Sequence, residues 1–410
     1  MRICYIFQDE YPWDIRAEKF TDTLADAGHE VVILSRNRNR RPRSERLRPG
    51  VQVVRLPIGL TPVDRTIMNF PAFFSPWWLN AIIRTIREHR IDLILVRDLP
   101  LAPAAVWAGR ITRRRVIMDM AENYPAMLQA TWDTGAHKPW DYLVRNPAFL
   151  RRLERWIVPK LDGVFVVSEA NKQRVAELTA GRVPIWIVEN TPRLTTADAS
   201  VPSALAEKIR NHPGLTLIYV GFLDAKRGLD IVVRALPFLK KSEPNVLAVI
   251  VGRGGLEPIL RKLAEELDVQ NNVLMPGWVD QREVPSIIAA ADIGLIPHML
   301  TEHTDTTIPN KIYDYMAQGK PVVVTQCRTL RRIVDSAGCG RVYQDTDPEE
   351  FARVVLSLRD ENVRHQLGES GRRAIESRYH WAYDAKTLLS AIAEFAPSPS
   401  SASVSPSEAR

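Results

Sequence analysis

Ile308-Pro-Asn-Lys-Ile-Tyr-Asp-Tyr-Met-Ala-Gln-Gly-Lys-Pro-Val-Val-Val324 is the stretch of the sequence that says most about the fold. Pro309 suits the first turn of a helix, because its fixed φ matches the helix and its missing N–H would have no helical partner there. Gly319 and the proline two residues later would end this helix and lead into the apolar run that follows. A short helix that leads into an apolar strand is a unit of parallel α/β sheets.

The same alternation of short apolar runs and helix-like stretches extends over most of the 410 residues. In the first half, strand-like runs occur at residues 2–7, 31–34, 51–56, 93–96, 116–119, 164–167 and 185–188. In the second half, they occur at residues 215–220, 246–251, 273–275, 293–296, 321–325 and 341–343. This alternation predicts an α/β protein with two parallel sheets.

The length allows two domains of nearly equal size, and 45% hydrophobic with 25% charged residues is the composition of a globular protein. Two prolines and several small polar residues at 191–202 indicate a hinge. We therefore predict an N-terminal domain at residues 1–190, a linker at 191–213 and a C-terminal domain at 214–378. The Ser-, Pro- and Ala-rich residues 396–410 are predicted to be disordered. A cleft between the carboxyl ends of the two sheets is the expected ligand site.

Charge and cysteine content restrict the class of protein further. The net charge is +7, and seven arginines lie between residues 36 and 48 against one acid, Glu45. Such a segment is compatible with a solvated loop, with phosphates, with nucleic acid or with anionic lipid. The three cysteines have no ligand-like spacing, which predicts a reducing compartment and no zinc site. Because no apolar run approaches a membrane span or a signal peptide, we predict a cytoplasmic location.

A glycine at a strand end marks the segment Tyr219-Val-Gly-Phe-Leu-Asp-Ala-Lys-Arg-Gly228. Gly221 would let the backbone approach a ligand, and Arg227 can reach phosphate oxygens. The segment resembles the G-R-L-x-x-x-K-G loop of the retaining GT-B glycosyltransferases of family 4, in which the Arg and Lys neutralise the donor diphosphate. The family's Lys position is Arg227 here, and its Arg position is Phe222, so the resemblance implies one cation fewer.

Residues 308–324 resemble the end of the same family's E-x7-E motif, in the variant P-x-K-x-x-E-Y-M-A-x-G-K-P-V. The resemblance implies that Pro309, Asn310 and Lys311 form a helix start that seats the diphosphate. It also implies that Asp314, at the second acidic position, accepts hydrogen bonds from the ribose hydroxyls.

The first acidic position of that motif, which contacts a sugar hydroxyl in the family, falls on Thr306. Glu302 and Asp305 lie near enough in sequence to substitute for it. A third segment, residues 273–279, resembles the family's strand and glycine that border the nucleotide base. By this resemblance Trp278 and Val279 are base neighbours.

The first half resembles the family more loosely. Asp119-Met-Ala-Glu122 is similar to the family's D-x-H-E, with Ala121 in place of the histidine, and makes Glu122 a candidate catalytic residue. Arg16 follows the first strand in a loop that would face the cleft. Residues 379–395 resemble the segment that crosses back to brace the first domain. The resemblance covers roughly residues 1–395.

The resemblance implies a GT-B fold, that is, two Rossmann-like parallel-sheet domains that face each other across a cleft. It implies transfer of a sugar from a nucleotide-sugar to an acceptor with retention of configuration, in polysaccharide or glycolipid assembly. Arg227 and Lys311 would stabilise the leaving diphosphate, so no cofactor and no metal is expected. The D-x-D spacing at Asp347 is better explained as a helix start, because a proline and two acids follow it.

Three other functions remain open from the sequence. A sugar-nucleotide epimerase or an inverting transferase could use the same fold. A donor-binding protein without catalysis would explain Phe222 and Thr306. A nucleic-acid-binding protein could use the arginines at 36–48, but aromatic residues do not alternate with them, so we predict no nucleic-acid partner.

The arginine-rich segment is followed by Phe70-Pro-Ala-Phe-Phe-Ser-Pro-Trp-Trp78. Cations attract anionic headgroups, and Trp and Phe favour the membrane interface. These residues therefore predict peripheral binding to the inner face of the membrane and a lipid-linked acceptor. The alternative is that the aromatic side chains belong to the core or to the wall of an acceptor pocket.

Overall fold

The computed structural model describes residues 1–12, 14–57, 72–133, 141–194, 201–344 and 346–396. These residues form fourteen strands in two separate sheets, each covered by helices on both faces. The predicted α/β class with two parallel-sheet domains is confirmed. Three predicted features lie partly outside the described residues. These are the start of the aromatic segment at residues 70 and 71, residues 195–200 of the predicted hinge, and the predicted tail from residue 397 onward.

The first sheet has eight strands: β1 (Arg2–Glu10), β2 (Glu30–Arg36), β3 (Ser44–Arg48), β4 (Val51–Arg55), β5 (Leu93–Arg97), β6 (Arg115–Met120), β7 (Gly163–Val166) and β8 (Ile185–Ile187). Their order is β3-β4-β2-β1-β5-β6-β7-β8. All neighbouring pairs are parallel except β3 with β4. The chain order reverses beside β1, which makes the carboxyl end of β1 a topological switch point.

The second sheet has six strands: β9 (Thr216–Val220), β10 (Leu247–Val251), β11 (Val273–Gly277), β12 (Ile293–Ile296), β13 (Val322–Thr325) and β14 (Gly340–Tyr343). Their order is β11-β10-β9-β12-β13-β14, and every pair is parallel. The switch point lies between β9 and β12. The loops that follow these two strands therefore open into the crevice where such sheets bind ligands.

Seventeen α-helices connect the strands in the described residues. In chain order they are α1 (Ile15–Asp26), α2 (Pro76–Glu88), α3 (Ala102–Thr112), α4 (Tyr124–Trp132), α5 (Asp141–Val144), α6 (Pro147–Ile157), α7 (Glu169–Thr179), α8 (Ala204–Arg210), α9 (Leu229–Lys240), α10 (Glu257–Glu266), α11 (Val284–Ala290), α12 (Glu302–Thr306), α13 (Lys311–Ala317), α14 (Arg328–Ala337), α15 (Pro348–Leu356), α16 (Glu361–Ser377) and α17 (Trp381–Ala393).

Alternating side chains of the first sheet enter two different cores. Cys4 and Ile6 of β1 pack in a core that also contains the buried sides of α2, α3 and α6. Ile3 and Tyr5 point to the opposite face, where α1 and α17 lie. This alternation follows from the two-residue period of a strand. It places α2, α3 and α6 together as one layer on one side of the sheet.

Helix α17 packs on the first sheet although it follows the last strand of the second. Trp381 is buried against Phe20, with ring centroids 5.8 Å apart, and its indole N–H donates to Thr23 at 2.8 Å. Leu388 and Ile392 lie in the same core as β1. The end of the described chain is therefore attached to the first sheet, whereas the bounds of the two domains stay a prediction.

Strand β3 was not among the strands predicted from the sequence, for which a solvated loop was one explanation of residues 36–48. Ser44 to Arg48 form an antiparallel edge strand on β4. Arg36 lies in β2 and is buried, whereas Arg38, Arg40, Arg41 and Arg43 are exposed. Only the central part of the arginine-rich segment is therefore a solvated connection.

No helix in the described part of the chain has both the length and the apolar character needed to cross a bilayer. Asp347 begins α15 as a cap whose carboxylate accepts from the amides of Glu349 and Glu350, each at 2.9 Å. The helix-start explanation of this aspartate is thus confirmed, while Asp345 lies outside the described residues.

Candidate active site

A cavity of about 570 Å³ lies between the two domains, at the carboxyl ends of β1, β6, β9 and β12. The first domain and the second domain both contribute to its wall. Its lining comprises Arg16, Arg97, Ala121, Glu122, Val167, Asn190, Val220, Gly221, Phe222, Arg227, Gln281, His298, His303, Thr304, Thr307, Ile308, Pro309, Asn310 and Lys311. Basic side chains outnumber acidic ones there, which favours an anionic ligand.

Arg227 reaches the cavity from the short 3₁₀ turn that follows β9. Its Nε donates to Asp224 at 3.2 Å, and its Nη1 lies 3.2 Å from Nε2 of His298. Because an arginine has no acceptor, this His298 nitrogen must be the unprotonated one. Burial, together with the charges of Lys311 and Arg227, lowers the pKa of His298 well below its usual value. The neutral imidazole therefore orients the guanidinium without repelling it.

Lys311 begins α13 and its ammonium lies 3.6 Å from the ring centroid of Tyr219. Burial and the charge of Arg227 lower the pKa of Lys311 well below its usual value. Within the described residues no carboxylate forms an ion pair with it. Gly221 has a φ of +144°, which favours glycine, and a Cβ there would lie 2.9 Å from the Lys311 Nζ, so a larger residue would displace this ammonium.

Glu122 and His303 approach each other across the cavity from the two domains. Oε2 of Glu122 and Nδ1 of His303 are 3.7 Å apart, and both atoms are enclosed without a hydrogen-bond partner among the described residues. Burial and the charge of Asp98 raise the pKa of Glu122 to about 7, although 41% of the side chain remains accessible from the cavity. Burial and the charges of Lys226 and Arg227 lower the pKa of His303 to about 4.

Asp314 lines a second cavity of about 500 Å³ that adjoins the first. The two cavities share Asn190, Gln281 and Asn310, so they are neighbouring parts of one cleft. The Asp314 carboxylate is accessible, yet the surrounding protein limits its solvation and raises its pKa to about 6. Pro309 and Asn310 line the first cavity, but α13 begins only at Lys311, two residues after the proline.

Arg16 lines the cavity, but its guanidinium is used within the first domain. It donates to Asp119 at 2.7 and 2.9 Å and to the carbonyl of Val188 at 2.9 Å, and only 2% of the residue is exposed. The predicted donor-binding arginine thus has a structural partner in a buried carboxylate, which also accepts from the Tyr5 hydroxyl.

Thr306 and Asp305 do not line either cavity. Thr306 lies in the contact between the domains, where its carbonyl accepts from Ser168 Oγ at 2.6 Å and its hydroxyl lies 3.4 Å from Asn123 Nδ2. Asp305 is turned toward α14, where Arg328 donates to it from Nε and from its amide. The carboxylate of Asp305 is therefore not presented to the cavity, contrary to the prediction from the sequence, and Thr306 does not reach it either.

Phe222 occupies the position at which the family pattern has an arginine. Its ring is 64% exposed at the cavity rim and lies 5.9 Å from the ring of Trp278, centroid to centroid. Trp278 and Val279 line neither cavity, and Val279 packs against the core of the second domain. Gln281, two residues after Val279, lines both cavities.

His298 and His303 were not among the site residues predicted from the sequence. Both follow β12, the strand beside the switch point, and polar residues directly after such a strand lie at the ligand crevice. That signal was present in the sequence. The contact of His303 with Glu122 was not, because it depends on how the two domains face each other.

Comparison with known proteins identifies the fold and the family. The structure is similar to a sucrose-phosphate synthase from Thermosynechococcus elongatus, with a TM-score of 0.73 and 16% identity over 96% of this chain and 98% of that one. It is also similar to Anabaena HepE in complex with UDP, with a TM-score of 0.69 and 14% identity over 96% of this chain and 100% of that one. The protein therefore has the two-domain GT-B fold.

Residues 15–191 match the family model described as glycosyl transferase 4-like domain, and residues 204–374 match glycosyl transferases group 1. The chain is 24% identical to a glycogen synthase of Mycobacterium tuberculosis over 90% of its length and 87% of that protein's. It is 28% identical to a GDP-mannose-dependent monoacylated α-(1-6)-phosphatidylinositol monomannoside mannosyltransferase of Corynebacterium glutamicum, over 75% and 77% of the two chains. The protein belongs to the group 1 glycosyltransferases and is a glycosyltransferase enzyme.

Proposed function

We propose that the protein transfers a hexose from a nucleotide-sugar to a lipid-linked acceptor, with retention of the anomeric configuration, in glycolipid or polysaccharide assembly. The observation that supports it best is the convergence of Arg227 and Lys311 on the interdomain cavity. Arg227 is paired with Asp224 only through Nε, and Lys311 has no ion-pair partner among the described residues. Two such cations suit a diphosphate leaving group.

The arrangement of the two cavities suggests how the nucleotide-sugar donor is oriented in the cleft. Asp314 in the second cavity would accept hydrogen bonds from ribose hydroxyls, and the diphosphate would lie between Arg227 and Lys311. HepE has been solved with UDP and with UDP-glucose, and the mannosyltransferase relative is GDP-mannose-dependent. UDP-glucose and GDP-mannose are therefore the two donors to test first.

In the proposed reaction, the bond between the anomeric carbon and the diphosphate oxygen breaks on the face where the acceptor oxygen attacks. The acceptor proton passes to the leaving diphosphate, so no protein nucleophile is needed. Arg227 and Lys311 stabilise the charge that develops on that oxygen. We propose that this reaction needs no metal, because the cations supply the positive charge.

The acceptor is proposed to be reached from the surface of a membrane. Exposed aromatic and basic side chains lie together on the outer side of the α2, α3 and α6 layer, which we term the outer helix face. Its exposed members are Trp77, Arg84, Trp107, Arg110, Trp156 and the aliphatic Ile111, and the partly exposed Lys160 also belongs to it. Arg110 and Lys160 lie 5.8 and 4.5 Å from the ring centroids of Trp107 and Trp156.

The outer helix face is continuous with the arginine-rich segment, because Arg43 lines one groove with Trp77 and Arg84. Phe73 and Trp78 are buried, so these two aromatic residues of the predicted membrane motif are core residues. Trp rings and cations together favour the interface of an anionic leaflet. The phosphatidylinositol mannoside substrate in the name of the mannosyltransferase relative is consistent with this proposal.

A donor panel tests the proposed reaction. UDP-, GDP-, ADP- and dTDP-sugars would be compared by thermal shift, and the donor that stabilises the protein would be incubated with a membrane lipid extract. We expect a glycolipid product with the donor's anomeric configuration, formed equally well in the presence of EDTA. An inverted product, or an epimerised donor without transfer, would contradict retention and transfer respectively. Loss of activity with EDTA that Mg²⁺ or Mn²⁺ restores would contradict the metal-free mechanism.

A further inference from the structure

The Glu122–His303 contact is incomplete in a way that indicates a missing ligand group. Buried polar atoms in proteins are nearly always hydrogen-bonded, because an unpaired one has lost its contacts with water without replacement. Here two such atoms, Oε2 of Glu122 and Nδ1 of His303, face each other at 3.7 Å. This distance is too long for a direct hydrogen bond, which would need about 2.7–3.2 Å.

An ion pair does not explain the arrangement. The pKa of His303 is lowered to about 4, chiefly by burial, so its imidazole is neutral near pH 7. A neutral imidazole has one N–H donor, and Glu122 above its pKa of about 7 is a carboxylate that only accepts. A single hydroxyl group would satisfy both unpaired atoms, because its oxygen accepts from Nδ1–H of His303 and its proton is donated to Oε2 of Glu122. Its oxygen would lie about 2.8 Å from each atom, which their separation allows.

The position of the pair indicates which hydroxyl this is. Arg227, which would hold the diphosphate, is close enough to shift the pKa of both Glu122 and His303. Neither residue lines the cavity of Asp314, where the ribose is placed. The pair therefore lies next to the proposed diphosphate site and away from the proposed nucleoside site. The transferred sugar of a bound donor would occupy this position.

We propose that Glu122 and His303 together hold one hydroxyl of the transferred sugar and so select the donor by the position of that hydroxyl. The inference rests on the proposed function. Positions 121 and 306, where the resembled pattern has a histidine and an acid, carry Ala and Thr, and Thr306 is turned into the domain contact. The imidazole comes instead from the second domain and the carboxylate from the first.

The test compares each nucleotide-sugar with its nucleoside diphosphate. Calorimetry would give Kd for GDP and GDP-mannose and for UDP and UDP-glucose with the full chain, and the ratio of each pair measures the gain from the sugar. We expect this gain to fall about tenfold in Glu122→Ala and in His303→Ala, since each removes one hydrogen bond. The double variant should lose no more than about tenfold, because both groups hold the same hydroxyl.

Matched control variants are Glu361→Ala and His365→Ala, which change exposed residues of α16 and should leave the gain unchanged. Donors that lack one sugar hydroxyl at a time identify the hydroxyl that is held. With the correct deoxy donor, the gain over the nucleoside diphosphate should be the same in wild type and in both variants. The nucleoside diphosphates serve as an internal reference, because removing the Glu122 charge can only favour their binding.

Three results would overturn the inference. An unchanged gain in the single variants would mean that the pair does not touch the sugar. This holds even if the affinities for the diphosphate and the nucleotide-sugar fall equally, which is the result expected if the pair only holds the two domains together. An additive loss of about a hundredfold in the double variant would mean two separate hydroxyls. Failure of every nucleotide and nucleotide-sugar to bind the wild type would refute the proposed function as well, and is thus distinguishable from the first two results.

Discussion

At the scale of single residues, Lys311 is the group whose protonation should respond most to the donor. Its pKa is lowered by burial and by Arg227, and an adjacent diphosphate would favour the charged ammonium and raise the pKa again. Binding should therefore take up a proton. Since the charged form binds and the free protein loses that proton as the pH rises, the affinity for a nucleoside diphosphate should fall as the pH rises above the lowered pKa of Lys311 in the free protein.

Calorimetry of diphosphate binding in buffers of different ionisation enthalpy measures this proton uptake. The measurement is best made at about pH 8.5, because Glu122, with its pKa raised to about 7, also takes up protons near neutrality when an anion binds. Lys311→Met should remove most of the uptake at that pH. The same uptake in wild type and variant would mean that Lys311 is already charged in the free protein.

Arg227 should matter for turnover more than for folding. It is half-buried, and its ion pair with Asp224 spans only three residues, so its loss should change the free energy of unfolding by less than about 1 kcal/mol. A cation aimed at a leaving group contributes far more to rate, and we expect kcat to fall about 10²–10³-fold in Arg227→Ala. Arg234→Ala, on the exposed side of α9, is the matched control. An unaffected kcat would place the catalytic cation elsewhere.

Sequence spacing predicted some of these residues better than others. Gly221, Arg227 and Lys311 directly follow strands or begin a helix at the switch point, and backbone position alone brings them to the cleft. Asp305 and Thr306 lie on the short helix α12, where consecutive side chains point about 100° apart. Spacing places such residues near the site but does not decide which of them faces it, and here neither does.

At the scale of elements, strand β3 illustrates what a hydrophobic pattern cannot predict. Thirteen strands were predicted because they are short runs of mostly apolar residues. Ser44-Glu-Arg-Leu-Arg48 has mostly polar residues, since an antiparallel edge strand is solvated on its outer side and needs no apolar alternation. Only the pairing with β4 makes it a strand.

Helix α16 makes a close backbone contact that depends on a glycine. A Cβ on Gly368 would lie 1.9 Å from the carbonyl oxygen of Gly319, at the end of α13. Glycine lowers intrinsic helix stability by about 1 kcal/mol relative to alanine, so Gly368→Ala would stabilise an isolated helix. In the protein we expect the reverse, a loss of about 1–3 kcal/mol from the forced separation of the two elements.

Urea unfolding of Gly368→Ala measures this loss, with Gln366→Ala on the exposed side of α16 as the control, which should stay within about 0.5 kcal/mol of wild type. Because α13 carries Lys311 and Asp314, the glycine variant should also weaken nucleotide binding. A Gly368→Ala protein at least as stable as wild type would show that α16 can move away from Gly319 at no cost.

At the scale of the whole molecule, the site exists only because the two domains meet. Asn123 and Ser168 of the first domain contact Thr306 of the second, and Glu189 at the end of the first sheet accepts from Tyr313 at 2.7 Å and Arg332 at 2.8 Å. The strand pattern predicted both sheets and the cleft. It could not predict these contacts, since they depend on how the two sheets and their helices are oriented relative to each other.

The outer helix face and the arginine-rich segment should together bind anionic membranes. Exposed cations contribute about 1 kcal/mol each near an anionic surface, so changing Arg38, Arg40, Arg41 and Arg43 to Ser should reduce binding to phosphatidylserine-containing vesicles about 10³-fold. Co-sedimentation at low and high salt measures this, and wild-type binding should be lost at high salt because the attraction is screened. Trp107→Ser with Trp156→Ser should also weaken binding, but should leave the salt dependence largely unchanged.

Net charge alone could produce a similar result, and a second arginine variant separates the two explanations. Arg353, Arg359, Arg372 and Arg373 are exposed on the second domain, and their replacement by Ser lowers the net charge by the same amount. If a defined face of the first domain docks on the membrane, this variant should bind vesicles like wild type. Equal losses in both arginine variants would indicate unspecific attraction by a basic protein. Equal partitioning of wild type and the Arg38, Arg40, Arg41 and Arg43 variant would mean that the acceptor is reached without this surface.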